Sequence, residues 1–485
     1  MEGKKSQEGL TVKKNENFSE WFTQVTEKAE ILDSRLGIKG FVIMRPWGAL
    51  TMENMFMHLE KELQKNGHKP TFMPTVIPKE NLTKESEHIE GFTPQVFWLK
   101  DINEGQELAL RPTSETVYTP MFKLWIRSWR DLPLKLYQRA NVFRLDTKAT
   151  RPLIRAREFI WIECHDAFKS KEDAEKQVQE DIAVTEKIMH QTFGIPFLPM
   201  KRPEWDKFAG AEYTVGSDCF MPDGKLIQQP STHLMGQKFS KAFGADFENE
   251  DGKKEFLWTT AYGPAVSRIL VSVISTHGDD SGLVLPYSIT PTQVVIVPIF
   301  TVKNKEKVLE KAKEIYSKLK KMGIRTELDE DTEKRPGEKY HMWELKGVPF
   351  RIEFGEKELE KKELTLFTRD TKEKLKIKDG DLKNIPKLGL EFDRRLVEKA
   401  DKVFKGKISL GKTEKEIKKI LDEGKVAKVN FCSTDNDGLN CAHLVEKKFG
   451  AEVRGTLANS NEKGSGNCPF CNKPAKKVVY IGRSY

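Results

Sequence analysis

The 485-residue sequence has no run of eighteen apolar residues, and its densest apolar stretches, such as QVVIVPIF at residues 293–300, have the length of one strand. The absence of a longer run argues against a membrane-spanning helix. The first ten residues also lack the apolar core of a secretion signal. We therefore expect a cytoplasmic protein with no membrane partner.

Cysteine is scarce, since the chain has only six, which is too few for a disulfide framework. Four of the six lie in the last 54 residues: Cys432, Cys441, Cys468 and Cys471. The last two form a Cys-x2-Cys pair, a spacing typical of zinc ligands. The eight residues between the first two exceed that spacing, so four reduced thiols are the alternative. Cys164 and Cys219 stand apart and are not expected to be ligands.

Charge is abundant but nearly balanced, with 82 Lys and Arg against 73 Asp and Glu and a net charge of +9. Because the two signs are interleaved, this excess is compatible with a polyanionic partner but does not indicate one by itself. Nine Trp and 28 Phe supply apolar surface to bury, which excludes disorder over most of the chain. The length predicts about two to four domains.

Residue patterns predict an α+β protein of five segments. Between residues 107 and 290, short apolar runs alternate with polar turns, but strands and helices do not alternate regularly. This pattern favours an antiparallel sheet. Beyond Pro291, a buried-type strand, a helix with an apolar face and three further strands predict a compact α/β unit. The predicted segments are a tail (1–16), a large domain (17–288), an α/β domain (289–385), a linker (386–410) and a small α/β domain (411–485).

Local signals predict the limits of some elements. Asn17, with Glu20 three residues later, predicts a helix start, and Gly194 predicts the end of a helix that begins near residue 170. A strand is predicted over residues 71–77. Because Pro74 cannot donate to a sheet ladder, this strand should lie at an edge or an interface.

The segment RLDTKATRPLIRAREFIWIECHDAF, at residues 144–168, gathers arginines and then a Trp, a Glu and a His. Clustered arginines usually form a solvated face, but the apolar residues between these ones have the composition of a strand. Arginines at the ends of a hairpin can point into one cleft, where guanidinium groups bind carboxylate and phosphate in bidentate fashion. The segment therefore favours a site for a triphosphate and a small acidic substrate.

This segment resembles the second signature of class II aminoacyl-tRNA synthetases, which is built around Phe-Arg-x-Glu; FRLD at 143–146 places Asp146 where that family has glutamate. YGPAVSRIL at 262–270 resembles the third signature, and the helix and strand before Pro74 resemble the first, which forms the dimer interface in that family. Five motifs resemble those of prolyl-tRNA synthetases of the archaeal and eukaryotic type: LRPTSE, EFIWIECH, THGDDSGLVLP, WELKGVPFRIEFG and the terminal GRSY. The resemblance runs over residues 17–485.

The resemblance implies an antiparallel class II catalytic domain, an anticodon-binding α/β domain and a C-terminal zinc domain, in a homodimer. It implies that the protein activates L-proline with ATP and Mg²⁺ and transfers it to tRNA(Pro). The residues matching proline contacts are Thr113, Glu115, Arg144, Trp161, Glu163, His165 and His233. Those matching ATP contacts are Arg144, Asp146, Arg155, Gln228, Ser231 and Arg268.

The catalytic role that the resemblance implies is neutralisation of phosphate charge by Arg144, Arg155 and Arg268. Structural Zn²⁺ would be held by the four clustered cysteines, and the C-terminal carboxylate of Tyr485 would approach the active site. Anticodon bases would be met by Arg335, Lys339, Glu344 and Lys346. Two departures from the family pattern bear on the pocket, since Cys164 and Pro230 stand where relatives have glycine.

Several alternatives remain open on the sequence. Taken alone, His165, His233 and Trp161 read as ordinary buried residues, and each lysine of the anticodon segment reads equally well as solvated. A synthetase for threonine, serine, glycine or histidine and an inactive tRNA-binding paralogue are the rival functions. Arg144 and Arg268 are 124 positions apart, and ordinary strands and one helix fill that interval, so we expect no inserted editing domain.

Overall fold

The computed structural model describes residues 9–84, 96–100, 105, 107–145 and 150–485. Asp146, a predicted ATP contact, lies outside the described residues. Within those residues, no helix combines the length and the apolar character needed to cross a membrane.

The first unit is a large sheet flanked by helices. Its helices are α1 (Phe18–Lys28), α2 (Pro46–Lys65), α3 (Lys79–Leu82), α4 (Glu115–Trp125), α5 (Lys171–Thr185), α6 (Lys238–Phe243) and α7 (Val266–His277). Its strands are β1 (Leu32–Asp33), β2 (Ile43–Met44), β3 (Lys69–Pro70), β4 (Val76–Pro78), β5 (Leu108–Leu110), β6 (Leu134–Phe143), β7 (Glu158–Phe168), β8 (Leu198–Lys201), β9 (Tyr213–Phe220), β10 (Leu226–Gly236), β11 (Asp246–Glu248), β12 (Lys254–Phe256) and β13 (Trp258–Gly263).

The central part of this sheet has the strand order β8-β9-β10-β13-β7-β6-β3. All neighbours are antiparallel except β3, a two-residue edge strand that runs parallel to β6. The prediction of an antiparallel sheet is thus confirmed. Helices α2 and α7 pack together over one face, and their apolar side chains share a core with residues of β7 and β13.

The predicted limits of individual elements are confirmed in some places and wrong in another. The side chain of Asn17 accepts a hydrogen bond from the backbone of Glu20, so the predicted helix start is confirmed. Helix α5 continues as a π-helical segment, Glu186–Thr192, and Gly194 follows with a φ of 71°. The single strand predicted over residues 71–77 is wrong, because β3 ends at Pro70 and β4 begins only at Val76. Thr71 still donates its backbone N–H to Tyr137, but Pro74 has none to continue the ladder.

The second unit has a five-stranded sheet with the order β15-β14-β16-β17-β18. Strand β14 runs parallel to β15 and β16, whereas β17 and β18 are antiparallel to their neighbours. The helices are α8 (Lys305–Lys321), α9 (Pro336–Leu345), α10 (Glu356–Lys361) and α11 (Ile385–Lys405). The strands are β14 (Val294–Pro298), β15 (Thr326–Leu328), β16 (Phe350–Phe354), β17 (Leu364–Thr368) and β18 (Lys374–Ile377).

The third unit contains α12 (Glu414–Asp422), α13 (Leu439–Phe449), β19 (Ile408–Leu410), β20 (Val426–Phe431), β21 (Glu452–Leu457) and β22 (Lys477–Gly482). Its strands have the order β19-β20-β22-β21 and continue the large sheet, because β21 pairs with β8 through Thr456↔Lys201 and Leu457↔Met200. The C-terminal unit is therefore hydrogen-bonded to the sheet that carries the candidate site, which the sequence did not indicate.

Candidate active site

A cavity of about 220 Å³ lies on the central sheet beside the N-terminus of α7. Strands β7, β10 and β13 supply most of its floor. The structure brings nearly all predicted substrate contacts to this cavity: Thr113, Glu115, Arg144, Trp161, Glu163, His165, Gln228, Ser231, His233 and Arg268. Residues from four distant parts of the chain therefore meet in one place, as the motif resemblance implied.

Glu163 is the centre of a buried hydrogen-bond network at one end of the cavity. Its Oε1 accepts hydrogen bonds from Ser114 Oγ at 2.5 Å and from Gln138 Nε2 at 2.7 Å. Its Oε2 lies 3.1 Å from His165 Nε2. Nearby, Thr113 Oγ1 donates to Glu115 Oε2 at 2.6 Å. This end of the cavity thus presents fixed carboxylates that suit a charged amine.

Burial and ion pairing have opposite effects on the pKa values of Glu163 and His165. Burial alone would raise the pKa of Glu163, but the hydrogen bond and charge of His165 lower that pKa below its usual range. Burial would likewise lower the pKa of His165, but the contact with Glu163 and the nearby charge of Glu115 raise it. Each group therefore shifts the pKa of the other in the direction that favours its charged form.

The pKa of His233 is shifted in the opposite direction to that of His165. Burial, followed by the charges of Arg144 and His165, lowers the pKa of His233 to about 3. Its Nδ1 lies 2.8 Å from Thr214 Oγ1 and its Nε2 lies 3.0 Å from Ser231 Oγ. The imidazole of His233 is therefore neutral at physiological pH, and hydroxyl groups hold it on both nitrogens.

Trp161 forms a flat wall between the two ends of the cavity. Its ring makes an edge contact with Phe159, with centroids 5.5 Å apart. A Cβ atom on Gly263 would lie 2.9 Å from the Trp161 ring, so only glycine allows the strand to approach so closely. No described residue accepts a hydrogen bond from the buried indole N–H. A flat wall of this kind suits a small rigid ring.

Arginines dominate the other end of the cavity. Arg144 donates from Nε to the Pro112 carbonyl at 3.2 Å and lies over the Phe159 ring at 5.3 Å. Arg268 also lies over Phe159, at 5.8 Å, and donates to the Gln228 carbonyl at 3.3 Å. Burial, followed by the charges of Arg144 and Arg155, lowers the pKa of Arg268 to about 10. Positive charge is thus concentrated at this end, and a bound polyphosphate would reduce the repulsion between the arginines.

Arg155 lines a second cavity of about 270 Å³, which shares Arg144, Gln228 and Arg268 with the first. The two cavities therefore form one elongated site. Arg155 Nη2 donates to the backbone oxygen of Tyr485 at 3.2 Å. The last residue of the chain lies at this end of the site, and Tyr485 Oη donates to Asp223 Oδ2 at 2.5 Å.

Sequence reasoning missed several residues of the site. Ser114 stands between two predicted residues, so the motif LRPTSE could have indicated it. Gln138 and Arg202 carry no local signal, because their roles depend on contacts between distant strands. Phe208 lies 4.7 Å from the His233 ring and was also missed. Pro230 falls in a bulge of β10, where the pairing with β9 shifts between Gln228 and Ser231, so the ladder tolerates a proline there.

The four residues predicted to contact the anticodon differ in their exposure and in their contacts. Arg335 is exposed before α9, whereas Lys339 is buried and its Nζ lies 3.0 Å from Asp329 Oδ1. Glu344 is half-buried and accepts a hydrogen bond from Arg351 at 2.9 Å. The half-buried Lys346 occupies the junction with the first unit, where its Nζ contacts Glu30 and lies over two tryptophan rings.

The four clustered cysteines meet in the third unit. Ligand atoms of Cys432, Cys441, Cys468 and Cys471 all lie within 4.8 Å of one another, and three of the four residues are buried. Four sulfurs at such distances fit the tetrahedral set that a structural Zn²⁺ takes. Cys164 and Cys219 are buried in the first unit and are not part of this cluster.

Comparison with known families gives three matches along the chain. Residues 97–277 match the tRNA synthetase class II core domain (G, H, P, S and T), residues 293–386 match the anticodon binding domain, and residues 414–485 match the C-terminal domain of prolyl-tRNA synthetase.

Individual relatives match over almost the full length. The chain is 45% identical to a proline–tRNA ligase of Thermofilum pendens, over 99% of this chain and 100% of the relative. It is 41% identical to one of Pyrococcus abyssi, over 97% and 98% of the two chains. The solved structure of Giardia lamblia prolyl-tRNA synthetase in complex with prolyl-adenylate superposes with a TM-score of 0.94 at 35% identity, covering 98% of this chain and 100% of that one.

A structure of the Cryptosporidium parvum enzyme complexed with L-proline and AMP gives a TM-score of 0.90 at 32% identity, with coverage of 100% and 99%. Matches of this length, with the site geometry above, leave one family. The chain belongs to the prolyl-tRNA synthetases, within the class II aminoacyl-tRNA synthetases.

Proposed function

We propose that the protein is an ATP-dependent proline–tRNA ligase of the cytoplasm. The observation that carries the proposal is the single elongated cavity, which has a carboxylate and aromatic end for an imino acid and an arginine end for a polyphosphate. A relative whose structure holds prolyl-adenylate supports the same pairing of ligands.

Proline would bind with its charged secondary amine at Glu115 and Glu163 and its ring against Trp161. Its carboxylate would then point toward Arg144, which stands between the two ends. In the first step a carboxylate oxygen forms a bond to the α-phosphorus of ATP, and the bond from that phosphorus to the bridging oxygen breaks. Pyrophosphate leaves, and prolyl-adenylate remains.

In the second step the terminal ribose hydroxyl of the tRNA attacks the prolyl carbonyl carbon, and AMP leaves. Neither step needs a protein nucleophile. The contribution of Arg144, Arg155 and Arg268 is to hold the phosphates in place and to offset charge that develops on them. Gln228 and Ser231 orient the nucleotide, and the neutral His233 adds a polar contact without further positive charge.

Mg²⁺, when bound with ATP, would offset negative charge on the phosphates. Among the residues that the structure describes, the only side-chain carboxylate lining the cavity at Arg155 is that of Glu452, which pairs with Arg454. The described residues that line this second cavity therefore do not form a set of Mg²⁺ ligands, and the expectation of this ion depends on the family resemblance.

We also propose a structural Zn²⁺ at the four cysteines, where it would hold the loop of Cys468 and Cys471 onto α13. Metal analysis of the purified protein should find about one zinc per chain. Cys471→Ser should lower both the zinc content and the thermal midpoint, and Cys219→Ser should change neither the zinc content nor its response to chelators. A full zinc content in Cys471→Ser would contradict the assignment.

A homodimer is proposed from the exposed apolar side chains near the first signature. Leu50 and Met57 on α2 are 53% and 54% exposed, and Phe72 is 92% exposed. Apolar side chains concentrated on one surface mark interfaces in soluble proteins. We place the partner's copy over α2 and the segment after β3.

For tRNA(Pro), we propose that the exposed Arg335 and the half-buried Glu344 face the anticodon, with Glu344 accepting from a base. Lys339, which pairs with Asp329, would fix α9 in place, and Lys346 would hold the junction with the first unit. Residues 17–288, 289–385 and 411–485 are proposed as the catalytic, anticodon-binding and zinc domains. Residues 386–410, predicted as the linker, contain most of α11, whose side chains pack in the core of the second unit, and β19 of the third unit.

ATP–pyrophosphate exchange with each amino acid tests the proposal. Exchange should depend on proline, and Arg144→Ala should lower the rate by about 10²–10³-fold because a preorganised donor is lost. Arg130→Ala, which removes an exposed arginine packed on Trp129, should leave the rate unchanged. Exchange that depends on threonine, serine, glycine or histidine would refute the proline assignment, and ATP binding without exchange would indicate an inactive paralogue.

A further inference from the structure

A buried carboxylate joins the first unit to the C-terminal unit behind the arginine end of the cavity. Asp218 in β9 is fully buried, and guanidinium groups from both units bind it. Arg202 donates from Nη2 and Nη1 to its two oxygens at 2.6 and 2.8 Å. Arg454, in β21 of the C-terminal unit, donates to the same oxygens from Nη2 and Nε at 3.0 and 2.8 Å.

Two guanidinium groups share this one carboxylate, and Arg454 also pairs with Glu452. Burial alone would raise the pKa of Asp218, but Arg202 and Arg454 overcome the effect and lower it to about 2. The carboxylate is therefore ionised, and removal of either arginine leaves it with one guanidinium partner instead of two in a buried place. Arg202 Nη1 also donates to the backbone oxygen of Arg454 at 3.0 Å, so the two arginines are fixed to each other as well.

Arg454 itself lines the second cavity, and the bridge also reaches the nucleotide end of the site through Arg202. Its Nη2 donates to Gln228 Oε1 at 3.0 Å, and Gln228 lines both cavities. The guanidinium lies directly over Gly216, where an added Cβ would come within 2.5 Å of Nη2. Any side chain at position 216 would therefore displace Arg202, so this arrangement depends on glycine there.

We propose that Arg454 is a positioning residue for the nucleotide site, which acts through Asp218 and Arg202 to fix the side chain of Gln228. The proposal rests on the proposed function, because that function assigns the nucleotide to this end of the cavity. Without Arg454, Asp218 keeps Arg202 as its one guanidinium partner among the described residues, and Arg202, the partner of Gln228, is held less firmly. The proline end should be unaffected, since Glu163 is held by Ser114, Gln138 and His165.

The test compares nucleotide and proline affinities in Arg454→Met, Arg454→Lys and the control Lys448→Met. Lys448 lies in the same unit but pairs with Glu414. Binding of the ATP analogue AMPPNP is measured by calorimetry, and KM for ATP and for proline by exchange. We expect Arg454→Met to weaken AMPPNP binding and raise KM for ATP by about tenfold, the equivalent of one good interaction. The KM for proline should stay within about twofold, and Arg454→Lys should recover part of the loss.

A folding check by circular dichroism and thermal melting accompanies each variant. If Arg454→Met does not fold, the double variant Asp218→Asn/Arg454→Gln removes both charges and should show the same selective loss of ATP affinity. Unchanged AMPPNP affinity in a folded variant overturns the proposal. Equal losses for ATP and proline, or the same loss in Lys448→Met, also overturn it, because a merely structural role would produce them.

Failure of the proposed function would give a different result. A wild-type protein that binds AMPPNP but shows no proline-dependent exchange contradicts proline activation. The calorimetric comparison of the variants remains decisive for Arg454 in that case, because it requires nucleotide binding alone.

Discussion

The end of the cavity proposed for the amino acid and the end proposed for the phosphates differ in their charges. At the first, Glu115 and Glu163 accept hydrogen bonds from hydroxyl, amide and imidazole groups of the protein. At the second, Arg144, Arg155 and Arg268 gather like charges. The first end is stabilised in the absence of substrate. At the second, burial and the charges of Arg144 and Arg155 disfavour the charged form of Arg268, which an anionic ligand would favour. Removal of a charge should therefore lower the free energy of unfolding at the first end, and should leave it unchanged or raise it at the second.

The largest effect is expected for Arg268→Met at the phosphate end. The exchange rate should fall by about 10²–10³-fold, because a charge aimed at the phosphates is lost. The unfolding free energy should stay level or rise by up to about 1 kcal/mol, since burial and the neighbouring arginines already disfavour the charged form of Arg268. Exchange kinetics and urea denaturation measure the two quantities.

Arg130→Met, on the surface, is the control for Arg268→Met and should alter neither quantity. A large loss of stability in Arg268→Met would show that this arginine is structural, and the contrast between the two ends would then fail.

The next effect is expected for Glu163→Gln at the amino-acid end. An amide cannot accept from Ser114, Gln138 and His165 as the carboxylate does, so urea denaturation should show a loss of about 1–3 kcal/mol in unfolding free energy. KM for proline should rise as well. The control is Glu107→Gln, which removes an exposed ion pair with Lys79 and should leave the denaturation midpoint unchanged. Equal midpoints for Glu163→Gln and wild type would show that the network does not stabilise this end.

The smallest effect is a pH dependence from His233. Because its pKa in the folded protein is about 3 and its ordinary value is 6.5, its contribution to stability is present above pH 6.5 and is lost as the pH falls toward 3. The charged or titratable groups around it are Arg144, His165 and Arg202. Between pH 6.5 and 5, wild type should lose about 1 kcal/mol per pH unit more than His233→Gln.

His165 acts in the other direction, since its raised pKa gives stability that is lost as the pH increases above its ordinary range. Both proteins retain His165, so the difference between them isolates His233. Parallel pH profiles for wild type and His233→Gln would mean that His233 binds protons equally in the folded and unfolded states, so that folding does not lower its pKa.

Much of the site could be predicted from the sequence because its residues lie in short motifs with chemical meaning. Trp161, Glu163 and His165 alternate along one strand, and a strand places alternate residues on one face. The place of Arg268 followed from the resemblance of YGPAVSRIL to the third class II signature, in which small residues precede an arginine. The fold class followed from the same alternation of short apolar runs.

The rest depends on contacts between distant residues, which no local pattern carries. The burial of Lys339 follows from Asp329 at the end of another strand, and nothing in the helix itself distinguishes it from a solvated lysine. Gln138 belongs to the site only because β6 pairs with β7 opposite Glu163. The broken strand near Pro74 was mispredicted because composition favoured a strand although a proline was present.

The pairing of β8 with β21 has a consequence for truncated forms of the chain. A fragment that stops before β19 would leave the backbone N–H and C=O groups along one side of Leu198–Lys201 facing water. Unpaired edge strands of this kind form hydrogen bonds with other chains and promote aggregation. Removal of residues 408–485 should therefore yield insoluble material, even though all the residues matched to proline and ATP contacts would still be present.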